Sequence, residues 1–207
     1  MCSPLYHMQY RPSKPAASSA FGLVELMVSI SIMALVTTVI VVRQSSFNGA
    51  VLLRNQAYEV AFAIRQAQLL AVSGGDDAAR VYGVYFSTTA GLNQEYRMFR
   101  DSVIGPNADQ AYDPSEQIGL TGRLDRRFMI RNLAVNSTAA TDISLVFERP
   151  NFDALVCASG DCSGGMTPAS NIFIDVAKVG TVAGEDDIGD VRRVRVSATG
   201  EVGVITY

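Results

Sequence analysis

One carboxylate interrupts a long apolar segment near the start of the chain. From residue 21 to residue 42 the only charged side chain is Glu25. A carboxylate without a partner is costly in lipid or in a protein core, and where one occurs it usually has a function. Glu25 is therefore the first residue in this sequence whose type and position suggest a specific role.

Side chains suited to catalysis are scarce elsewhere in the sequence. The only histidine is His7, which precedes the apolar segment. Residues 160–165 read Gly-Asp-Cys-Ser-Gly-Gly, similar to the Gly-Asp-Ser-Gly-Gly around the nucleophile of chymotrypsin-like proteases, but the inserted cysteine breaks the spacing. No histidine after residue 7 could act as a general base. The sequence predicts no enzyme and no cofactor, and a membrane-anchored periplasmic enzyme is disfavoured.

Two further groups of side chains could form a crosslink or bind an ion. Cys157 and Cys162 enclose four residues, and in an oxidising periplasm they favour a disulfide, with two free thiols as the alternative. Four carboxylates lie together near the C-terminus: Glu185, Asp186, Asp187 and Asp190. They could bind calcium through their oxygens, but their spacing matches no defined loop. We interpret them as a solvated loop, with calcium as the weaker alternative.

Two groups of arginines could form a basic strip for nucleic acid. They are Arg123, Arg126, Arg127 and Arg131, and then Arg192, Arg193 and Arg195. The formal net charge of the chain is -3, and after residue 20 it has 15 Lys and Arg against 20 Asp and Glu, a net charge of -5. Such a balance gives no general attraction to DNA. Nucleic-acid binding therefore stays an alternative that the sequence does not favour.

The apolar segment is long enough to cross a membrane. Its 22 residues, from 21 to 42, would span roughly 33 Å as a helix, against a hydrocarbon core of roughly 30 Å. Arg11 and Lys14 precede it, which favours a cytoplasmic N-terminus with the rest of the chain outside. A secretory signal peptide has a shorter apolar core, with its small residues after that core. A plain membrane anchor would account for every feature except Glu25.

Residues 20–28, Ala-Phe-Gly-Leu-Val-Glu-Leu-Met-Val, resemble the prepilin peptidase site of type IV pilins and type II secretion pseudopilins. The resemblance implies cleavage between Ala20 and Phe21 and N-methylation of Phe21. Ala20 stands where the family prefers glycine. Glu25 matches the fifth mature residue, a glutamate that in the family neutralises the new N-terminal amine, often that of a neighbouring subunit, and sets the register of assembly.

The resemblance also implies a function and a set of partners. The chain would be a structural subunit of a type IV pilus or type II secretion filament. The absence of a helix-breaking proline in the membrane segment favours a minor subunit. Its partners would be a prepilin peptidase, an inner-membrane assembly platform with its cytoplasmic ATPase, and other pilin subunits. Its location would be the inner membrane, with a periplasmic globular domain that is extracted into the filament. The alternative is a filament-displayed binding module, either an adhesin or a DNA-uptake receptor.

The sequence pattern predicts the elements that would position these residues. Apolar residues after the membrane segment recur at alternating steps of four and three: Leu53, Ala57, Val60, Ile64, Ala67 and Ala71. This spacing predicts one helix from about residue 22 to the Gly74-Gly75 pair. Strands are predicted at 81–87, 95–101, 127–133, 143–149, 171–177, 191–198 and 202–207. The expected segments are a leader (1–20), a membrane helix (21–42), an amphipathic helix (43–75) and a β-rich domain (76–207). The fold class is α+β, a long N-terminal helix packed on an antiparallel sheet.

Overall fold

The protein has an α+β fold, a long helix followed by antiparallel strands, as the sequence predicts. The structure is a computed structural model that describes residues 22–73, 80–102, 111–119, 121–147, 153–159, 166–181 and 189–205. The chain divides into two compact units, Met1–Ser45 and Ser46–Tyr207. The division falls inside the helix, so the second half of the helix belongs to the same unit as the strands.

The helix α1 spans Leu23–Ser73. The strands of the first sheet are β1 (Arg80–Ser87), β2 (Glu95–Ser102), β3 (Gly122–Arg123), β6 (Asp142–Phe147), β7 (Ala154–Ala158) and β8 (Thr167–Pro168). The strands of the second sheet are β4 (Phe128–Val135), β5 (Thr138–Ala140), β9 (Asn171–Lys178), β10 (Val191–Ser197) and β11 (Val202–Ile205). A short 3-10 helix, Pro114–Glu116, lies between β2 and β3.

The strands form two antiparallel sheets where the sequence predicts one. Their orders are β3-β2-β1-β6-β7-β8 and β11-β10-β9-β4-β5. Every neighbouring pair is antiparallel, and tight turns join β4 to β5 and β10 to β11. The β10–β11 turn includes Gly200 at φ +77°, as expected for the hairpin predicted there. In the β4–β5 turn, Asn136 and Ser137 have φ of 51° and 73°, which is the arrangement of a type I′ turn.

The core lies between the second half of α1 and the two sheets. The helix contributes a row of buried residues that we call the inner stripe: Leu53, Ala57, Val60, Ile64, Ala67 and Ala71. These side chains pack in one cluster with Phe86 of β1, Leu145 of β6, and Ile174 of β9. The 4–3 spacing places all six on one helix face, so the predicted core role of this stripe is confirmed.

Three polar side chains hold the second half of α1 against the strands and turns of its unit. Gln56 accepts a hydrogen bond from the Asp125 amide at 2.7 Å. Gln68 donates to the Gly200 carbonyl at 2.5 Å, and Arg65 donates to the Val202 carbonyl at 2.8 Å. Although the sequence pattern places Gln68 outside the core stripe, its side chain is buried. These bonds satisfy amide and carbonyl groups that burial would otherwise leave without partners.

The seven predicted strands are all present within the described residues, and no described end differs from its predicted end by more than two positions. Two of the predictions, 143–149 and 202–207, extend into residues outside the described ranges. The sequence analysis missed β7 and the short strands β3, β5 and β8. β7 pairs with β6 along its whole length and has buried residues on both faces, so it lacks the alternating pattern of a half-exposed strand.

Candidate functional site

The N-terminal part of α1 is an apolar surface with no cover inside its own unit. Residues Leu23–Val42 have a mean hydropathy of 2.3 and are long and apolar enough to cross a membrane. All of them are exposed. In water such an area of apolar surface is unfavourable, at about 25 cal/mol for each Å². The segment therefore requires an apolar environment that the described part of the chain does not supply.

The polar side chains of this segment are satisfied inside the helix. The hydroxyls of Ser29, Ser31, Thr37 and Thr38 each donate to the carbonyl four residues earlier, at 2.7–2.8 Å. A hydroxyl bonded in this way costs little in hydrocarbon, because it does not require water. The four hydroxyls are therefore compatible with a lipid environment, which leaves one polar side chain to explain.

That side chain is Glu25, in the first turn of α1. Its carboxylate lies where the free backbone amides give the helix terminus a partial positive charge, a favourable position for an anion. Among the described residues, which begin at Gly22, it has no ion-pair partner. The geometry is that of an acidic group at the end of an apolar helix, exposed for contact with a cation from elsewhere.

Several predicted site residues lie outside the described residues: Ala20, Phe21, Cys162, Glu185, Asp186 and Asp187. Cys157, near the end of β7, is buried and disulfide-bonded, but the pairing with Cys162 stays a prediction because that residue is not described. Asp190 forms an ion pair with Lys178. Within the described ranges no three His, Cys, Asp or Glu residues are grouped as metal ligands. Calcium binding therefore stays untested.

Most arginines of the two groups contact other residues of the same unit. Arg193 forms a bidentate ion pair with Asp175, at 2.6 and 2.8 Å, and Asp175 is only 1% exposed. Its guanidinium also lies 4.9 Å from the centre of the Phe173 ring. Such a planar, bidentate contact fixes the side chain within the sheet. Arg193 is therefore a structural residue rather than part of a surface strip.

Four other arginines of these groups also have partners within the same unit, whereas Arg126 is exposed. Arg123 forms an ion pair with Glu95 at 2.6 Å. Arg127 donates two side-chain hydrogen bonds to Asp125, and these bonds lower the pKa of the Asp125 carboxyl to about 2. The remaining contacts are Arg195 with the Asn171 side chain and Arg192 with the Val191 carbonyl. This arrangement does not favour the nucleic-acid alternative.

The sequence analysis missed a pair of carboxyl groups on the outer face of the first sheet. Asp101 of β2 is 1% exposed and shares a hydrogen bond with Glu116 of the 3-10 helix. The Glu116 Oε2 atom is buried without a hydrogen-bond partner. Burial, followed by the contact with Asp101, raises the pKa of Glu116 from its ordinary 4.5 to about 7. No motif links the two positions, because the fold alone brings them together.

Aromatic packing holds the Glu116 segment on the sheet. The Tyr112 ring stacks on Tyr85 at 4.6 Å between centroids and meets the edge of Phe99 at 5.7 Å. Its backbone amide donates to the Ser144 hydroxyl at 3.0 Å, and the Arg97 guanidinium lies 5.8 Å from its ring centre. Residues 111–119 thus cover a second, smaller apolar cluster, on the face of the sheet opposite α1.

Comparisons with known proteins give one structural likeness. No protein-family model matches the chain, and no curated protein matches it. Among solved structures, the chain is similar to the minor pseudopilin EpsH from the Type 2 Secretion System of Vibrio cholerae, with a TM-score of 0.43 and 11% identity. The match covers 75% of this chain and 96% of that one. These values are too low for the likeness to assign a family or a function.

Proposed function

We propose that this protein is a structural subunit of a type IV pilus or type II secretion filament, anchored in the inner membrane by the first part of α1 before assembly. It acts by assembly and not by catalysis. A prepilin peptidase would remove residues 1–20 and methylate Phe21. An inner-membrane platform with its ATPase would then move the subunit, with its periplasmic domain, into the filament.

The observation that carries this proposal is the position of Glu25, after a sequence that resembles a prepilin cleavage site and at the start of the apolar part of α1. The sequence Ala20-Phe21 precedes it at the spacing of a prepilin cleavage site, and the exposed apolar helix follows it to Val42. A plain membrane anchor would explain the helix but not the carboxylate. Cleavage would create an amine at Phe21, four residues from Glu25, and this amine is the cation that the carboxylate lacks among the described residues.

The proposed role of Glu25 follows from the cost of burying charge. In a low dielectric an ammonium and a carboxylate attract each other strongly, and each is costly alone. Pairing Glu25 with the amine of Phe21, on the same or a neighbouring subunit, offsets both costs. Because the contact is short-ranged, it also fixes how far one helix can slide along the next. Assembly in register would then depend on this one pair.

The first experiment is to measure the N-terminus of the protein in native membranes by intact-mass and peptide mass spectrometry. The proposal expects a chain that begins at methylated Phe21. A chain that begins at Met1, in cells with an active prepilin peptidase, would leave the plain-anchor alternative. The same spectrum, recorded with and without reduction, tests the predicted Cys157–Cys162 disulfide.

A second experiment isolates the assembly step. We expect Glu25→Ala to be cleaved normally but to enter filaments roughly tenfold less well or worse, since losing one ion pair in a low dielectric costs more than ~1.4 kcal/mol. Glu25→Gln keeps the shape and removes the charge, so it should behave like Glu25→Ala. Glu201→Gln, on the exposed β10–β11 turn, is the matched control. Normal incorporation of both Glu25 variants would refute the pairing role.

A further inference from the structure

The second half of α1 has a second row of mainly apolar side chains on its exposed face. We call it the outer stripe, and its members are Val51, Asn55, Tyr58, Phe62, Arg65, Leu69 and Val72. All seven are exposed, and the apolar side chains of Phe62 and Leu69 are 68% and 66% exposed. The core cluster of the same unit takes the inner stripe instead. A partner outside the single chain is needed to cover these large apolar side chains.

The spacing of the outer stripe indicates what kind of partner fits. Its steps are four, three, four, three, four and three, which is three heptad repeats of a coiled-coil seam. In heptad terms Asn55, Phe62 and Leu69 occupy a positions, and Val51 and Tyr58 are among the d positions. Such a row meets a facing helix by inserting side chains between those of the partner. The stripe therefore fits another helix better than a loop or a flat sheet.

The charges beside the stripe indicate a second copy of the same helix, running parallel and in register. Arg54 is at a g position and Glu59 is at the e position five residues later, which is the pair that meets across a parallel two-stranded coiled coil. Two copies would therefore form this contact twice. In an antiparallel pair, g faces g and e faces e, and Arg54 and Glu59 would not meet. The stripe is self-complementary only in the parallel arrangement.

Arg54 and Glu59 each make a hydrogen bond within the helix and can still bond to a partner helix. Arg54 donates to the Tyr58 hydroxyl at 3.3 Å, and Glu59 accepts from the Gln56 amide at 2.9 Å. A guanidinium has five donors and a carboxylate about four acceptor sites, so each retains further capacity. Both side chains are exposed. An open groove of about 760 Å³ beside Glu59 and Phe62 provides space for the partner's side chains.

One polar residue in the stripe supports the in-register arrangement. Asn55 is at an a position, where two facing asparagines hydrogen-bond only when the helices are aligned without a shift. A shift by one heptad would place Asn55 against Phe62 of the partner and leave its amide without a hydrogen bond. Asn55 thus lowers the affinity of the pair and specifies its register. Arg65, which donates to the Val202 carbonyl, leans toward the strands of its own unit.

We propose that two copies of this chain form a parallel, in-register pair through the outer stripe of α1 while they are in the membrane. The inference rests on the membrane anchor in the proposed function, and not on cleavage of residues 1–20. Three short heptads are weak in dilute solution, but anchors in one membrane raise the effective concentration of the two copies. The pair would be a membrane dimer that forms before assembly, and its two subunits would separate before they pack with a stagger in a filament.

Cysteine crosslinking of the full chain in membranes tests this pair. In a Cys2→Ser background, we expect Phe62→Cys to give roughly tenfold more disulfide-linked dimer than Ala139→Cys, because the seam holds the two thiols at a high effective concentration. Ala139 is an exposed position on β5 and is not part of α1. No excess over the Ala139→Cys control would overturn the pair. The Phe62→Cys and Leu69→Cys variants can also be expressed together. If Phe62→Cys then forms a crosslink only with Leu69→Cys and not with a second Phe62→Cys, the in-register arrangement is overturned.

Charge reversal gives a second, independent measurement. Arg54→Glu or Glu59→Arg alone should reduce the Phe62→Cys crosslink roughly fivefold, because two attractive contacts become two repulsive ones. The double variant restores opposite charges and should recover the crosslink. An equal loss in both single variants and in the double variant would overturn the pairing of these residues.

The N-terminal mass from the same membranes separates the two proposals. A crosslinked dimer that begins at Met1 keeps the parallel pair and overturns prepilin processing. A chain that begins at Phe21 without a Phe62→Cys crosslink keeps the processing and overturns the pair. A crosslink from Phe62→Cys to a different protein, with no dimer, would also overturn the pair.

Discussion

The carboxyl pair of Asp101 and Glu116 should make the stability of the second unit, Ser46–Tyr207, depend on pH near neutrality. In the folded state the pKa of Glu116 is raised to about 7 by burial and by Asp101, against 4.5 for a free glutamate. The folded state therefore binds the Glu116 proton more tightly than the unfolded state. The stability from this group is fully present below about pH 4.5 and is lost as the pH rises through about 7.

The size of the effect follows from that shift. A change from 4.5 to about 7 corresponds to an upper limit of about 3 kcal/mol in the free energy of unfolding. Glu116 is only partly buried, so solvent screens its interaction with Asp101. We expect that stability falls by about 1–2 kcal/mol between pH 5 and pH 8 because of this group. Glu116→Gln should remove that part of the pH dependence.

Urea unfolding of residues 46–207 at a series of pH values measures this effect. Near-ultraviolet circular dichroism is a suitable signal, because Tyr112, which lies in the same segment as Glu116, stacks on Tyr85. The informative quantity is the difference between the wild-type and Glu116→Gln curves. Glu201→Gln, an exposed glutamate on the β10–β11 turn, is the control and should retain the wild-type pH dependence. Parallel curves for wild type and Glu116→Gln would refute the raised pKa of Glu116.

Two further predictions concern backbone positions. At Gly83 a Cβ would lie 2.6 Å from Cζ of the buried Phe99 ring, so Gly83→Ala should destabilise the unit by about 1–3 kcal/mol. Gly203→Ala has open space and should change the urea midpoint little, and equal midpoints for both variants would contradict the contact. In the β4–β5 turn, Ser137 has φ 73°, so Ser137→Gly should stabilise by about 0.5–1 kcal/mol, with Ser137→Ala as the control. A lower melting temperature for Ser137→Gly than for wild type would refute that account.

The elements that the sequence predicted are those whose burial leaves a regular pattern. The 4–3 spacing from Leu53 to Ala71 predicted the packed face of α1, and the alternating valines of β10 and β11 predicted a hairpin. β7 was missed because its Leu155, Val156 and Cys157 run without alternation. A strand enclosed on both faces has no periodic signal, so only its pairing with β6 reveals it.

The residues of the candidate site also differ in whether the sequence alone could reveal them. Glu25 was predicted because one charge in an apolar segment is visible in the sequence, whereas Asp101 and Glu116 are ordinary acidic residues there. Their contact depends on the segment 111–119 returning over the first sheet, where Tyr112 packs on Phe99. The same limit applies to Arg193, which looked like part of a basic strip until β9 placed Asp175 against it. Such pairs are determined by tertiary structure, which spacing along the chain does not encode.

The two stripes of α1 have the same spacing and differ in the size of their side chains. The inner stripe includes alanines, such as Ala57 and Ala67, which allow the helix to approach the sheets closely. The outer stripe places Tyr58 and Phe62 on the exposed face, where a monomer gains nothing from their area. If α1 had only to support the β domain, polar residues would serve better on that face. The large outer side chains are therefore better explained by contact with another helix than by the stability of the single chain.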